Sequence, residues 1–180
     1  MPRFVVLLRG VNVGKGNRVP MADFRSLLEA QGFTDVRTVL NSGNAVFDSA
    51  GRSAAAHGSS IALALRERLG LDVAVVVKSS REFLDAVARN PIAPPVGEHS
   101  RFIVAFAQNA ASLRDLSDLL PLAQPPERFS VGPHAAYLHC AGGILQSKVA
   151  AALLGKAGRA VTTRNLATVT RLAGLLADGS

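Results

Sequence analysis

Arg3-Phe4-Val5-Val6-Leu7-Leu8 and Arg101-Phe102-Ile103-Val104-Ala105-Phe106 share one pattern, a cation followed by an unbroken apolar run of strand length. What surrounds each run decides the fold. After the first comes a glycine-rich polar loop, residues 10–19, and then Pro20, which suits the first position of a helix. Met21, Phe24, Leu27 and Leu28 recur at helical spacing, and Gly32 suits the left-handed residue that ends a helix. Strands over 36–40 and 45–47 flank Asn41-Ser42-Gly43-Asn44, a hairpin turn. A small, polar, mobile loop is expected over 48–59. Ile61, Leu65 and Leu69 then mark a helix ending at Gly70, and a β-branched strand is expected over 73–77. Ser79 and Glu82 have the spacing of a capping box for a third helix.

Pro91, Pro94 and Pro95 make residues 91–100 the linker, and beyond it the order repeats. Leu113, Leu116, Leu119 and Leu120 give a helix stopped by Pro121. Strands over 129–131 and 135–140 flank Gly132-Pro133-His134. A helix over 147–154 ends at Gly155, a short strand covers 159–162, and Asn165 caps a last helix. The reading is an α+β protein of two consecutive ferredoxin-like βαββαβ halves, each with a trailing helix. The halves are residues 1–90 and 101–180. The runs over 4–8, 73–77 and 102–106 do not alternate apolar with polar. Both faces of each sheet are therefore expected to be covered, by the other half, by the trailing helices or by another chain.

A 180-residue chain buries a core without staples. Its one cysteine, Cys140, excludes an internal disulfide and suits a reducing compartment. No apolar run reaches membrane-spanning length, so a cytoplasmic protein without membrane contact is expected. The net charge of +7 is spread along the chain without a basic tail, which removes the usual mark of a nucleic-acid arm. Aromatic residues are too few for a base-stacking platform. A nucleic-acid partner is thus only weakly supported, and monomer and homodimer both remain open.

Topology gathers two polar clusters. In a βαββαβ unit the loop after the first strand and the hairpin share one edge of the sheet. That edge collects Arg9, Asn12, Lys15, Asn17 and Arg18 with Asn41, Ser42 and Asn44. Cations, flexible glycines and the start of the Pro20 helix are the parts of an anion site. The same residues also suit a solvated loop whose glycines serve only its turns. Residues 10–16 are not a P-loop, since no Ser or Thr follows Lys15 and the spacing is one residue short. The second cluster lies at the opposite edge of the second half and comprises Ser147, Lys148, Thr163, Arg164, Asn165 and Thr168. Helix capping is the plainer explanation of Ser147 and Asn165, while Lys148 and Arg164 are kept as candidates for a polar site.

His57, His99, His134 and His139 have no metal-ligand spacing, and neither a metal nor a cofactor is expected. Cys140 and His139 are adjacent in a strand and point to opposite faces, so they form no catalytic pair.

Leu7-Leu8-Arg9-Gly10-Val11-Asn12-Val13-Gly14, Val19-Pro20-Met21, Gly32-Phe33-Thr34-Asp35-Val36-Arg37-Thr38 and Ser42-Gly43-Asn44 resemble the domain-of-unknown-function family 1697. So do Tyr137-Leu138-His139, Gly143-Ile144 with Ser147-Lys148, and Thr162-Thr163-Arg164-Asn165 with Thr168-Val169. The resemblance implies a bacterial soluble protein of two similar α+β subdomains and supplies no activity. Gly14-Lys15-Gly16-Asn17 departs from the family's Gly-Gly-Lys-Asn, and Leu166 stands where the family has Trp. The leading expectation is a protein binding a phosphate-bearing ligand at the loop from Arg9 to Arg18. The alternatives are an enzyme using Ser147, Lys148 and Arg164, and a self-associating module.

Overall fold

Five consecutive buried residues, Phe4 to Leu8, force the first strand to lie between two layers. The computed structural model describes residues 1–178 and resolves them into two compact units, Met1–Phe83 with the segment beginning at Gly174, and Leu84–Ala173. The first unit contains β1 (Arg3–Leu8), α1 (Met21–Ala30), β2 (Thr34–Val39), β3 (Asn44–Asp48), α2 (Ala54–Leu69) and β4 (Val75–Ser79). The chain continues through α3 (Ser80–Ala88). The second unit contains β5 (Phe102–Ala107), α4 (Ala110–Asp115), β6 (Arg128–Val131), β7 (Ala136–His139), α5 (Lys148–Leu154) and β8 (Val161–Asn165), and the last helix is α6 (Leu166–Ala177). Each sheet has four strands, all paired antiparallel, in the orders β2-β3-β1-β4 and β6-β7-β5-β8.

In the first unit Phe4, Val6, Leu8, Phe47 and Val77 face α1 and α2, where they meet Phe24, Leu28, Ile61 and Leu65. Each such side chain contributes about 1.5–3 kcal/mol when fully buried. The other face, with Val5, Leu7, Val46 and Val76, is equally buried. Arg3 ties this unit at its lower edge, donating to Asp48 at 2.7 Å, to Asp35 at 2.5 Å and to the Leu175 carbonyl of α6 at 3.3 Å. In the second unit Ile103, Ala105 and Leu138 pack on Leu113 of α4 and on Val149 and Leu153 of α5. On the opposite face Phe102, Val104, Phe106 and Tyr137 are buried, and Tyr137 donates to the Ala86 carbonyl of α3.

The element boundaries correct several expectations. Residues 54–59 are helical, because Ser53 accepts from the Ala56 N–H at 3.1 Å and three alanines follow it. Pro20 precedes the helix with an extended ψ of 134° and does not occupy its first position. Leu40 leaves β2 with a φ of 57°, and β4 begins at Val75. α4 ends at Asp115, and a 3₁₀ helix (Leu116–Leu122) carries the chain through Pro121. β8 covers Val161–Asn165 and excludes Arg159, which closes a 3₁₀ turn (Lys156–Gly158). The Ser79–Glu82 capping box is present, with reciprocal bonds of 2.9 and 3.2 Å.

Candidate functional site

Where β1 ends, burial gives way to exposure within a few residues. Leu8 is buried, Arg9 is half-buried, and residues 13–18 are exposed. Burial without full compensation lowers the Arg9 guanidinium below its ordinary pKa. The loop folds back on itself through one side chain. Asn12 adopts a left-handed φ of 55°, which asparagine tolerates. Its Nδ2 donates to the Val19 and Asn41 carbonyls at 2.8 and 2.7 Å, and its Oδ1 accepts from the Val19 N–H at 2.8 Å. Asn12 therefore closes the loop and fastens it to the β2–β3 hairpin.

The other predicted residues of this edge divide by role. Asn44 is fully buried and donates to the Val39 carbonyl and to Ser42 Oγ, both at 2.9 Å, so it organises the hairpin from within. Gly43 has a φ of 81°, and a Cβ there would meet Leu8 and Val11 at 2.7 Å. Only glycine lets the hairpin press on the end of β1. Asn17 donates to the Gly10 carbonyl at 3.4 Å, and Arg18 to the Gly14 carbonyl at 2.6 Å. Lys15 is exposed. Asn12, Asn41, Ser42 and Asn44 thus build the edge, while Arg9, Lys15 and Arg18 supply its charge. The first turn of α1 has no side-chain cap and carries Asp23.

The second cluster is separated by the sheet. Arg164 pairs with Val104, which pairs with Tyr137, so Arg164 shares their face. Thr163 pairs with Ala105 on the face that packs against α5. Ser147 caps α5, accepting from the Ala150 N–H at 3.0 Å, and its hydroxyl bonds the Cys140 thiol. Asn165 caps α6, accepting from the Thr168 N–H at 2.9 Å. Arg164 is 7% exposed, donates to Thr162 Oγ1 and the Thr163 carbonyl at 2.6 and 2.7 Å, and is pushed down to about 10 by desolvation. Lys148 is exposed.

The family described as "Protein of unknown function (DUF1697)" matches residues 1–137. The chain belongs to this family. The match runs over the whole Arg9–Asn44 edge and ends at Tyr137. None of the curated proteins compared with this DUF1697 chain matches it. Among solved structures it is similar to the conserved bacterial protein SP0830 from Streptococcus pneumoniae, at 22% identity and a TM-score of 0.81, covering 97% of this chain and 98% of the other. That likeness concerns the fold. Among the described residues of this DUF1697 chain no helix is long and apolar enough to cross a membrane.

One pairing was invisible to spacing arguments. His139 stacks on Phe102 and bonds Glu98 at 2.6 Å, although residues 98 and 139 belong to different expected segments. Both lie near the start of β5, and only the register Phe102↔His139 brings them together.

Proposed function

We propose that the loop over residues 10–19 receives the phosphate group of a ligand, a nucleotide, a sugar phosphate or an RNA backbone. The observation that carries this reading is the Asn12 clamp. It binds the loop to the hairpin and so holds Arg9, Lys15 and Arg18 at the same sheet edge as the uncapped amides of α1. Cations and a helix N-terminus at one edge favour an anion. The asparagines take the role of a frame, and Arg9 and Arg18 bind. A partly desolvated guanidinium such as Arg9 gains more from a phosphate than an exposed one does. Each half is read as a ferredoxin-like unit, a duplication that the repeated strand order supports. The division at residues 91–100 belongs to the same reading.

Thermal unfolding in the presence of inorganic phosphate, nucleotides and sugar phosphates tests the site. Ligand at about 100 times its Kd stabilises by roughly 2.7 kcal/mol. The R9Q/R18Q variant is expected to lose the part of that response that the loop supplies. No shift with any anion at millimolar concentration counts against the reading. The enzyme alternative has less support, because the Ser147 hydroxyl is already engaged by Ala150 and Cys140.

A further inference from the structure

The second unit carries a concavity of about 600 Å³ lined by Ser112, Asp115, Lys156, Arg159 and Val161. That volume lies within the range of small-molecule sites. It opens at the end of the sheet where β5 finishes and β8 begins, since Ala107 pairs with Val161. The backbone brings its two cations together. In the 3₁₀ turn after α5, the Gly158 N–H donates to the Gly155 carbonyl at 3.2 Å and the Arg159 N–H to the Lys156 carbonyl at 3.3 Å. Residues three apart eclipse in this geometry, so Lys156 and Arg159 leave the turn on one side. The turn is seated firmly. A Cβ on Gly158 would lie 1.8 Å from the Leu153 carbonyl oxygen, so no other residue fits there.

Neither cation is neutralised from within. Asp115 lines the same hollow, yet among the described residues it forms no ion pair with Lys156 or Arg159. Two like charges on one face repel, and a ligand anion between them removes the repulsion. Asp115 narrows the choice of anion. A carboxylate beside the cations disfavours bare phosphate, but it accepts hydrogen bonds from hydroxyl groups.

We propose that this hollow binds a hydroxyl-bearing phosphate ester, a sugar phosphate or a nucleoside phosphate. Lys156 and Arg159 hold the phosphoryl group, the guanidinium through its fork of N–H donors. Asp115 and Ser112 Oγ take the hydroxyls. The site is independent of the loop over residues 10–19.

Isothermal titration of the full chain with ribose 5-phosphate, adenosine monophosphate and inorganic phosphate tests it. Ribose 5-phosphate is expected to bind more tightly than inorganic phosphate. Adenosine monophosphate against ribose 5-phosphate separates the nucleoside from the sugar source. In the R9Q/R18Q background, K156Q/R159Q is expected to weaken ribose 5-phosphate at least tenfold, with an unchanged urea midpoint because both side chains are exposed. D115N is expected to bring the two affinities together by improving inorganic phosphate. In R9Q/R18Q, where the loop no longer contributes, ribose 5-phosphate is expected still to bind at this hollow. Absence of ribose 5-phosphate binding at millimolar concentration overturns the proposal, as does an affinity that stays unchanged when K156Q/R159Q is added to R9Q/R18Q. If R9Q/R18Q alone abolishes phosphate binding, this site fails while the loop reading stands.

Discussion

Tyr137 donates its phenolic hydrogen to the carbonyl of Ala86 at 2.5 Å, joining residues 51 apart in the sequence. Ala86 lies in the last turn of α3, where carbonyls lack helical partners. The tyrosine of β7 thus satisfies an orphan acceptor, and its ring fills the buried face beside Val104. Burial pushes Tyr137 up to about 12.

Tyr137→Phe is expected to cost about 1–3 kcal/mol in urea unfolding, because the Ala86 carbonyl stays buried without a donor. The proton linkage gives a second readout. The folded-state pKa is raised, so below pH 10 both states hold the proton and the contribution is complete. Between pH 10 and about 12 the unfolded chain ionises first, and stability falls. The variant is expected to show a shallower alkaline loss. Equal slopes would mean that Tyr137 ionises freely in the folded protein.

Cys140 is expected to be inert towards thiol reagents until the chain unfolds. It is fully buried, and desolvation pushes its thiol up to about 11 in spite of the Ser147 hydrogen bond. Labelling by a disulfide reagent at pH 8 should follow the urea unfolding curve. Fast labelling of native protein would contradict the burial.

The succession of strands and helices was legible because each apolar run and each Gly or Asn turn is local. Faces were legible too, since runs without alternation require two covered sides. Boundaries slipped where neighbouring signals compete. Ser53 and three alanines extended α2 into a stretch whose composition reads as loop. At residues 159–162 the strand signal came from Val161 and Thr162, and Arg159 was taken by a turn instead. The edge cluster was legible as a location, because loop and hairpin must meet there. The division of labour within it was not. Whether an asparagine orients a ligand or bonds a carbonyl depends on distances that spacing does not contain.

Gly43→Ala is expected to destabilise by about 2–4 kcal/mol, combining a left-handed φ with overpacking. The added methyl would meet the Leu8 and Val11 side chains at 2.7 Å, and neither can retreat from a buried position. Circular dichroism melts measure this directly. Gly10→Ala is the control, since its φ of 64° is similar but no atom lies within 4 Å of its Cβ. Only the strain cost should appear there.

Asn12→Ala removes donors from the Val19 and Asn41 carbonyls and the acceptor of the Val19 N–H. A loss of about 1–3 kcal/mol is expected. Asn12→Asp retains the acceptor but sets a carboxylate oxygen against the Val19 and Asn41 carbonyls, so it is expected to be no more stable than the alanine variant. Hydrogen exchange at the Val19 amide is the local readout. Unaltered protection in the alanine variant would show that the loop closes without this side chain.

Arg164 tests whether burial of a charge outweighs its hydrogen bonds. Desolvation alone drives its shift to about 10, so the surroundings disfavour the charged form. Removing a guanidinium from water costs several kcal/mol after relaxation, whereas hydrogen bonds such as those to Thr162 Oγ1 and the Thr163 carbonyl return about 1.5–3 kcal/mol each at best. Arg164→Met keeps an unbranched apolar filler and is expected to be as stable as wild type or more stable. Arg164→Ala leaves a void and is expected to lose about 2 kcal/mol or more. The pH dependence opposes that of Tyr137. A lowered folded-state pKa means that the folded chain sheds this proton first, so its contribution rises as the pH climbs above about 10. Urea midpoints of both variants at pH 7 decide the matter. A methionine variant several kcal/mol less stable than wild type would mean that the polar contacts of Arg164 outweigh the cost of burying its charge.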